Sequence, residues 1–368
     1  MARLKNCIVT ALLFCGFSQL GAQPVGAELK VFGYFQTSFG REKALDRPVE
    51  VKSFSLQQLN LFLQKDLARN WRTFINFEFV NSYSSSRNWG AQNLEEAWVR
   101  YRRSEQFNLK LGLQVPAFNN LNEIKNKTPL LPYIIRPLAY ESSFNEIIAL
   151  EEFAPRQAFA QVYGFIPERT LKIDYAVFAG NSPNINDDPR RGQTGVDTTK
   201  FFLIGGRFGL RTDNFKIGVS ATLEHRDFYQ VAVWLKEDPS KFSKVPRLRL
   251  GGDFSIETRK WQWESEFISV TYDDDHPIAD LDKKFYYGTL KHTWSERFKV
   301  YAGYWVTREN DLPLSDLDIL ALTAGAAYDV NETISAKAQY GRVRFESTTT
   351  SITTSRANYY YLAISVVF

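Results

Sequence analysis

The chain of 368 residues sets 45 Lys and Arg against 41 Asp and Glu, a formal charge of +4, which excludes a nucleic-acid protein because that needs a concentrated basic excess. Its 2 cysteines, Cys7 and Cys15, both fall in the N-terminal segment, so no disulfide framework is available. Beyond that segment the longest apolar run, Ile319 to Ala327, is about half a helical span, which excludes an inner-membrane helical protein.

In chain order, Arg3 and Lys5 precede an apolar run from Cys7 to Phe17 that is too short to cross a bilayer as a helix. Residues 1–22 therefore read as a signal peptide, with cleavage after Ala22 or as late as Ala27. A lipid anchor at Cys15 is disfavoured because bulky Phe14 precedes it. The expected mature chain, 23–368, reads as one domain. Losing Arg3 and Lys5 leaves 43 basic residues against 41 acidic ones.

From Leu29 onward the side chains alternate. Trp71, Thr73, Ile75, Phe77 and Phe79 share one face while Arg72, Asn76 and Glu78 occupy the other, a period of two that fits a strand and no helix. The same rule sets Leu109, Leu111, Leu113 and Val115 against Lys110, Gly112 and Gln114. It sets Phe215, Ile217, Val219, Ala221 and Leu223 against Lys216, Ser220, Thr222 and Glu224. Leu248, Leu250, Phe254 and Ile256 oppose Arg247, Arg249, Asp253 and Glu257, and Trp261, Trp263 and Phe267 oppose Gln262, Glu264 and Glu266. Aromatic residues reach 15% of the chain, as expected where every second residue meets lipid and aromatic girdles mark both interfaces.

Every second joint is a tight polar turn, at Asn70, Glu105–Gln106, Glu168–Arg169, Asp213–Asn214, Arg259–Lys260, Glu296–Arg297 and Asn331–Glu332. Five of these deliver an aromatic to the next strand: Trp71, Phe107, Phe215, Trp261 and Phe298. All five share the outward parity, so they predict a ring at one membrane interface. The other joints are long and polar, at about 41–52, 81–92, 116–155, 181–199, 225–246, 271–283, 309–316 and 347–357. Seven short turns and eight long joints predict an all-β transmembrane antiparallel barrel of about sixteen strands. Closure is required because backbone polar groups in hydrocarbon need internal partners. The alternative of a secreted sandwich or propeller explains neither the alternation of short and long joints nor the aromatic strand starts.

The long loop 116–155 is about twice any other and carries Leu130, Leu131, Tyr133, Ile134, Ile135, Leu138 and Tyr140. Structureless loops of this length usually have a function, and this one predicts a segment folded into the barrel, with an external cap or oligomer contact as the alternative. Ser143 to Glu146 reads as a capping box opening a short helix. The residues leading into the loop, Leu94 to Tyr101 and Leu109 to Phe118, resemble the family of phosphate-selective porins O and P. That resemblance implies sixteen strands, an inward third loop, a homotrimer and passage of anions such as phosphate. The likeness covers about twenty-five residues and otherwise rests on strand layout; no residue is assigned to that family's ladder of arginines and lysines.

Parity places Arg72, Arg100, Arg102, Lys110, Arg207, Arg247 and Arg249 on the lumen side, and the long loop adds Arg136, Glu141 and Glu146; these ten are the candidate pore-lining residues. Across all inward positions fourteen basic candidates, Lys30, Lys172, Arg211, Lys216, Lys291, Lys299 and Lys337 included, meet nine acidic ones. A mild anion preference follows, although the acidic residues of the loop oppose it and many charges can pair across the lumen.

The last strand sets Tyr360, Leu362, Ile364, Val366 and Phe368 on one face, a pattern like the signal read by the barrel assembly machinery. No catalytic or cofactor constellation emerges. His225, His276 and His292 lack metal-ligand spacing, and Asp273-Asp274-Asp275-His276 lacks the glycine and distal glutamate of a calcium loop. The expected function is an outer-membrane porin passing small hydrophilic solutes or ions. A non-conducting structural or adhesive barrel is the alternative, and an outer-membrane enzyme is third.

Overall fold

The alternating segments form strands because each must pair on both edges while offering one face to lipid and the other to the interior. The computed structural model describes residues 28–46, 48, 50–80, 91–120, 125–137, 157–182, 202–226, 236, 245–272, 281–311, 315–347 and 354–368. The strands are β1 (Lys30–Ala44), β2 (Glu50–Ala68), β3 (Trp71–Val80), β4 (Ala91–Arg102), β5 (Asn108–Gln114), β6 (Gln157–Glu168), β7 (Leu171–Asn181) and β8 (Phe202–Arg211). They continue as β9 (Phe215–Arg226), β10 (Val245–Glu257), β11 (Trp261–Tyr272), β12 (Leu281–Thr293), β13 (Phe298–Asp311), β14 (Ser315–Asp329), β15 (Ile334–Ser347) and β16 (Thr354–Val367). Each pairs with the next, and β1 pairs with β16 to close the barrel. The expected signal peptide lies outside the described residues.

At the closing seam the register runs from Tyr34 opposite Val367 to Ala44 opposite Ala357. Gly33 and Phe368 exchange backbone hydrogen bonds of 2.9 and 3.0 Å, extending the ladder by one step. Bulges fall between Gln36 and Thr37 on β1, Asp66 and Ala68 on β2, and Asn76 and Phe77 on β3.

Outside, Val177, Ile204, Val219, Leu223 and Leu362 are each more than half exposed, a surface that water would penalise and hydrocarbon accepts. Near the short turns Trp71 packs on Tyr101 at 5.0 Å, Phe254 links Phe215 and Trp263, and Trp261 lies 4.2 Å from His292. The strands run further than their polar ends suggest. Residues 41–44 and 50–52 are paired strand, as are 309–311 and 315–316, where long loops were expected.

Inside, Gln36, Asn60, Asn76, Gln114, Gln161, Ser220 and Thr222 are buried. The inner face is not polar throughout. Ile268, Val270, Tyr272, Phe285, Tyr287, Trp305, Ile319, Ala321, Val343 and Tyr359 form an apolar cluster on the inner face of β11 to β16. Phe118 and Ile135 of the long loop complete it, so the loop, and not water, covers that wall.

Candidate pore

Val115, expected outward, leaves the strand alignment after Gln114 and turns the chain inward with Pro116 and Ala117. The backbone then moves from wall to wall. Ala117 N–H donates to Gln161 Oε1 on β6 (3.0 Å), Asn119 N–H to Ser220 Oγ on β9 (3.0 Å), and Asn120 N–H to Glu266 Oε1 on β11 (2.9 Å). Asn119 adopts a left-handed conformation, φ 52°, which asparagine tolerates better than most residues. Its side chain sits over Gly251, where a Cβ would come within 2.8 Å of Phe118.

The segment then forms a 3-10 turn over Lys125–Leu130 and docks on the far wall. Lys337 Nζ donates to the carbonyls of Thr128 (3.3 Å), Pro129 (3.0 Å) and Tyr133 (3.3 Å), and to Gln36 Oε1 (2.9 Å). Gln339 Oε1 accepts from the Ile134 and Ile135 amides at 2.7 and 2.8 Å, and its Nε2 donates to the Ile135 carbonyl at 3.2 Å. Tyr133 meets Tyr301 edge-on at 5.0 Å. These buried bonds give an irregular backbone the partners it needs at membrane depth. Gln36, Gln339, Gln161 and Ser220 were not singled out from the sequence. Only their inward parity was legible, and an uncharged inward side chain resembles any other lumen residue.

The charged candidates separate into three settings. Arg207 forms ion pairs with Asp174 and with Asp253 (2.7 Å), and Arg211 joins Asp174 at 3.2 Å. Arg247 pairs with Glu224 at 2.5 Å and donates to the Tyr272 hydroxyl, and Arg249 shares the same carboxylate; all three charged side chains are almost fully buried. Those groups belong to the packed wall. Arg102 stands at the short-turn rim, half exposed and 3.6 Å from Glu105. Glu141 and Glu146, with the expected capping box, lie outside the described residues, as does the 273–276 cluster.

Arg72, Arg100 and Lys110 border open space. A cavity of about 290 Å³ along β1 to β5 is lined by these three with Glu96, and by Lys127 of the inward segment. Arg136 and Glu78 lie in electrostatic range of Tyr34, which lines the same cavity. A second space of about 900 Å³ opens toward the short turns, bounded by Pro129–Pro132 and by Lys291, Arg297, Lys299, Lys337, Glu296, Asp329 and Glu332. Together the two spaces are lined, among the described residues, by eight basic and four acidic side chains. Among the described residues, no group of three or more His, Cys, Asp or Glu side chains is placed to hold a metal.

No family model matches the sequence, and no curated protein matches it. Solved structures do match. The outer membrane channel DcaP of Acinetobacter baumannii aligns with TM-score 0.63 and 10% identity, covering 93% of this chain and 97% of that one. An anion-selective porin from Comamonas acidovorans aligns with TM-score 0.63 and 10% identity over 93% and 100% of the two chains. The trimer form of in-vitro folded OmpT, an outer membrane protein of Vibrio cholerae, aligns with TM-score 0.56 and 10% identity over 93% and 99%. At such identities the likeness establishes the sixteen-stranded barrel fold.

Proposed function

We propose that this barrel is a bacterial outer-membrane porin, a passive channel for small hydrophilic solutes with a preference for anions. The observation that carries the proposal is the twofold excess of basic over acidic side chains among the described residues around the two spaces beside the inward segment. Fixed charge at a narrow point biases which ions enter. Pinning of the loop to both walls supports a constriction in place of an external cap. The lipid-compatible exterior supports residence in the outer membrane, and the channel and porin among the structural neighbours support passive transport over catalysis.

A finer assignment follows the same line. The strand pair before the loop resembles the phosphate-selective porins O and P, and phosphate-like anions suit a basic constriction. A homotrimer accords with the trimer form of one neighbour, and assembly through the barrel assembly machinery accords with the Phe368 strand. Reversal potentials of the purified protein in planar bilayers under a KCl gradient test the selectivity. The expected sign is that of chloride over potassium. A potassium preference overturns the anion reading, and absence of any conductance step would favour a structural or adhesive barrel.

A further inference from the structure

The inner wall of β1 to β5 carries side chains that a water-filled lumen does not call for. Phe32 and Tyr34 each lie 5.1 Å from Phe62, Phe62 stacks on Phe74 at 5.4 Å, and Phe74 stacks on Trp98 at 5.0 Å, both stacks at 25° between planes. Lys110 Nζ sits 4.6 Å from the centre of the Trp98 ring, over its face. Five rings on four adjacent strands thus form a continuous aromatic row at inward positions. Because Phe62, Phe74 and Trp98 meet by their faces, the edges of these three rings are left for the cavity, and ring edges carry the positive end of the aromatic quadrupole.

One step toward the short turns, Arg72, Arg100 and Lys110 stand opposite one another on β3, β4 and β5. Three like charges in register repel unless something negative lies among them. Arg72 has Asp66 at 2.5 Å and Lys110 has Glu96 at 3.7 Å. The middle residue, Arg100, lies in electrostatic range of Asp66 but forms no ion pair among the described residues, and its buried Nε has no hydrogen-bond partner there. The 290 Å³ cavity is lined by this cation and by Phe62, Phe74 and Trp98 together, with Val115 and Lys127 also on its wall.

We infer that this cavity is a binding site for a small organic anion, its acidic group held by Arg100 and Lys110 and its apolar body lying along the ring edges of Phe62, Phe74 and Trp98. As the point where a permeating solute is chosen, it rests on the channel reading; as a binding site it does not. The volume suits a ligand of one ring or a short chain, at the lower end of small-molecule pockets.

Calorimetric titration of the detergent-solubilised full-length protein with phenyl phosphate and with inorganic phosphate tests the site. Phenyl phosphate binds more tightly by about tenfold, since burying a ring against apolar edges adds to an unchanged phosphate contact. The Phe74→Ala, Trp98→Ala double variant removes that difference, and Arg100→Gln, which leaves the rings intact, weakens both ligands. Equal affinity of the unaltered protein for the two ligands, or undiminished binding by the uncharged Arg100→Gln variant, overturns the inference even if the double variant fails to fold. Conductance of the same preparation separates the two readings. Binding without conductance sinks the channel and keeps the site, whereas conductance without a phenyl phosphate preference sinks the site and keeps the channel.

Discussion

Arg207 reaches from β8 to carboxylates on two other strands, Asp174 on β7 and Asp253 on β10, with less than a tenth of its side chain exposed. Gly218 makes room for it, since a Cβ there would lie 2.6 Å from an Asp253 oxygen. Removing the cation leaves the buried Asp253 carboxylate without its ion pair and Asp174 with Arg211 alone. Arg207→Leu is expected to cost about 3–5 kcal/mol, read as a lowered urea midpoint for loss of the compact band on gels. Adding Asp174→Asn and Asp253→Asn restores part of that loss, because the uncompensated charge is then gone. An unchanged midpoint for Arg207→Leu would mean that the cluster is wetted in solution. Parity identified Arg207, Arg247, Arg249 and Lys337 as inward. It was blind to their partners, because Asp174 and Asp253 come together only when β7 and β10 are brought round the same wall.

Among the elements, strands and short turns were legible because lipid on one side imposes a period of two and the tight turns interrupt it with polar residues. The long joints were overestimated at several points for a definable reason. Strand ends such as Arg41–Ala44 and Glu50–Lys52 pair beyond the apolar band, where Arg41 and Lys52 share Glu50 at 3.1 and 2.9 Å. Polarity there reports exposure to water, not loss of the ladder. The short turns also contain their own fastenings. Asn331 Oδ1 accepts from the amides of Thr333 (2.9 Å) and Ile334 (2.8 Å) and from the Thr333 hydroxyl (3.1 Å), a side chain standing in for a backbone turn. Asn331→Ala is expected to lower stability by about 1 kcal/mol and to slow refolding into vesicles only slightly, since the ladder between β14 and β15 remains paired down to Asp329 and Ser335. A loss of several kcal/mol in a urea titration would show that the turn sets the register of β14 and β15.

At the scale of the whole molecule, alternation predicts two faces for every strand but cannot say whether the inner face meets water or protein. Ile268, Phe285, Trp305 and Val343 are inward and apolar because the loop lies on them, a contact set by residues more than a hundred positions away in sequence. This makes loop and wall a single packed unit, and it shapes what removing the loop must do. Excising 119–153 opens the lumen, so single-channel conductance rises, but it also wets an apolar surface at about 25 cal/mol per Å², so the shortened barrel unfolds at lower urea. Gly251→Leu separates the two effects. The new side chain collides with Phe118 and Asn119 while the cross-strand ladder at Gly251 is untouched, so the first anchor is lost while Lys337 and Gln339 keep the second. Conductance should then fluctuate between the parent level and a higher one. A steady parent level in both variants would show that the inward segment does not restrict the passage.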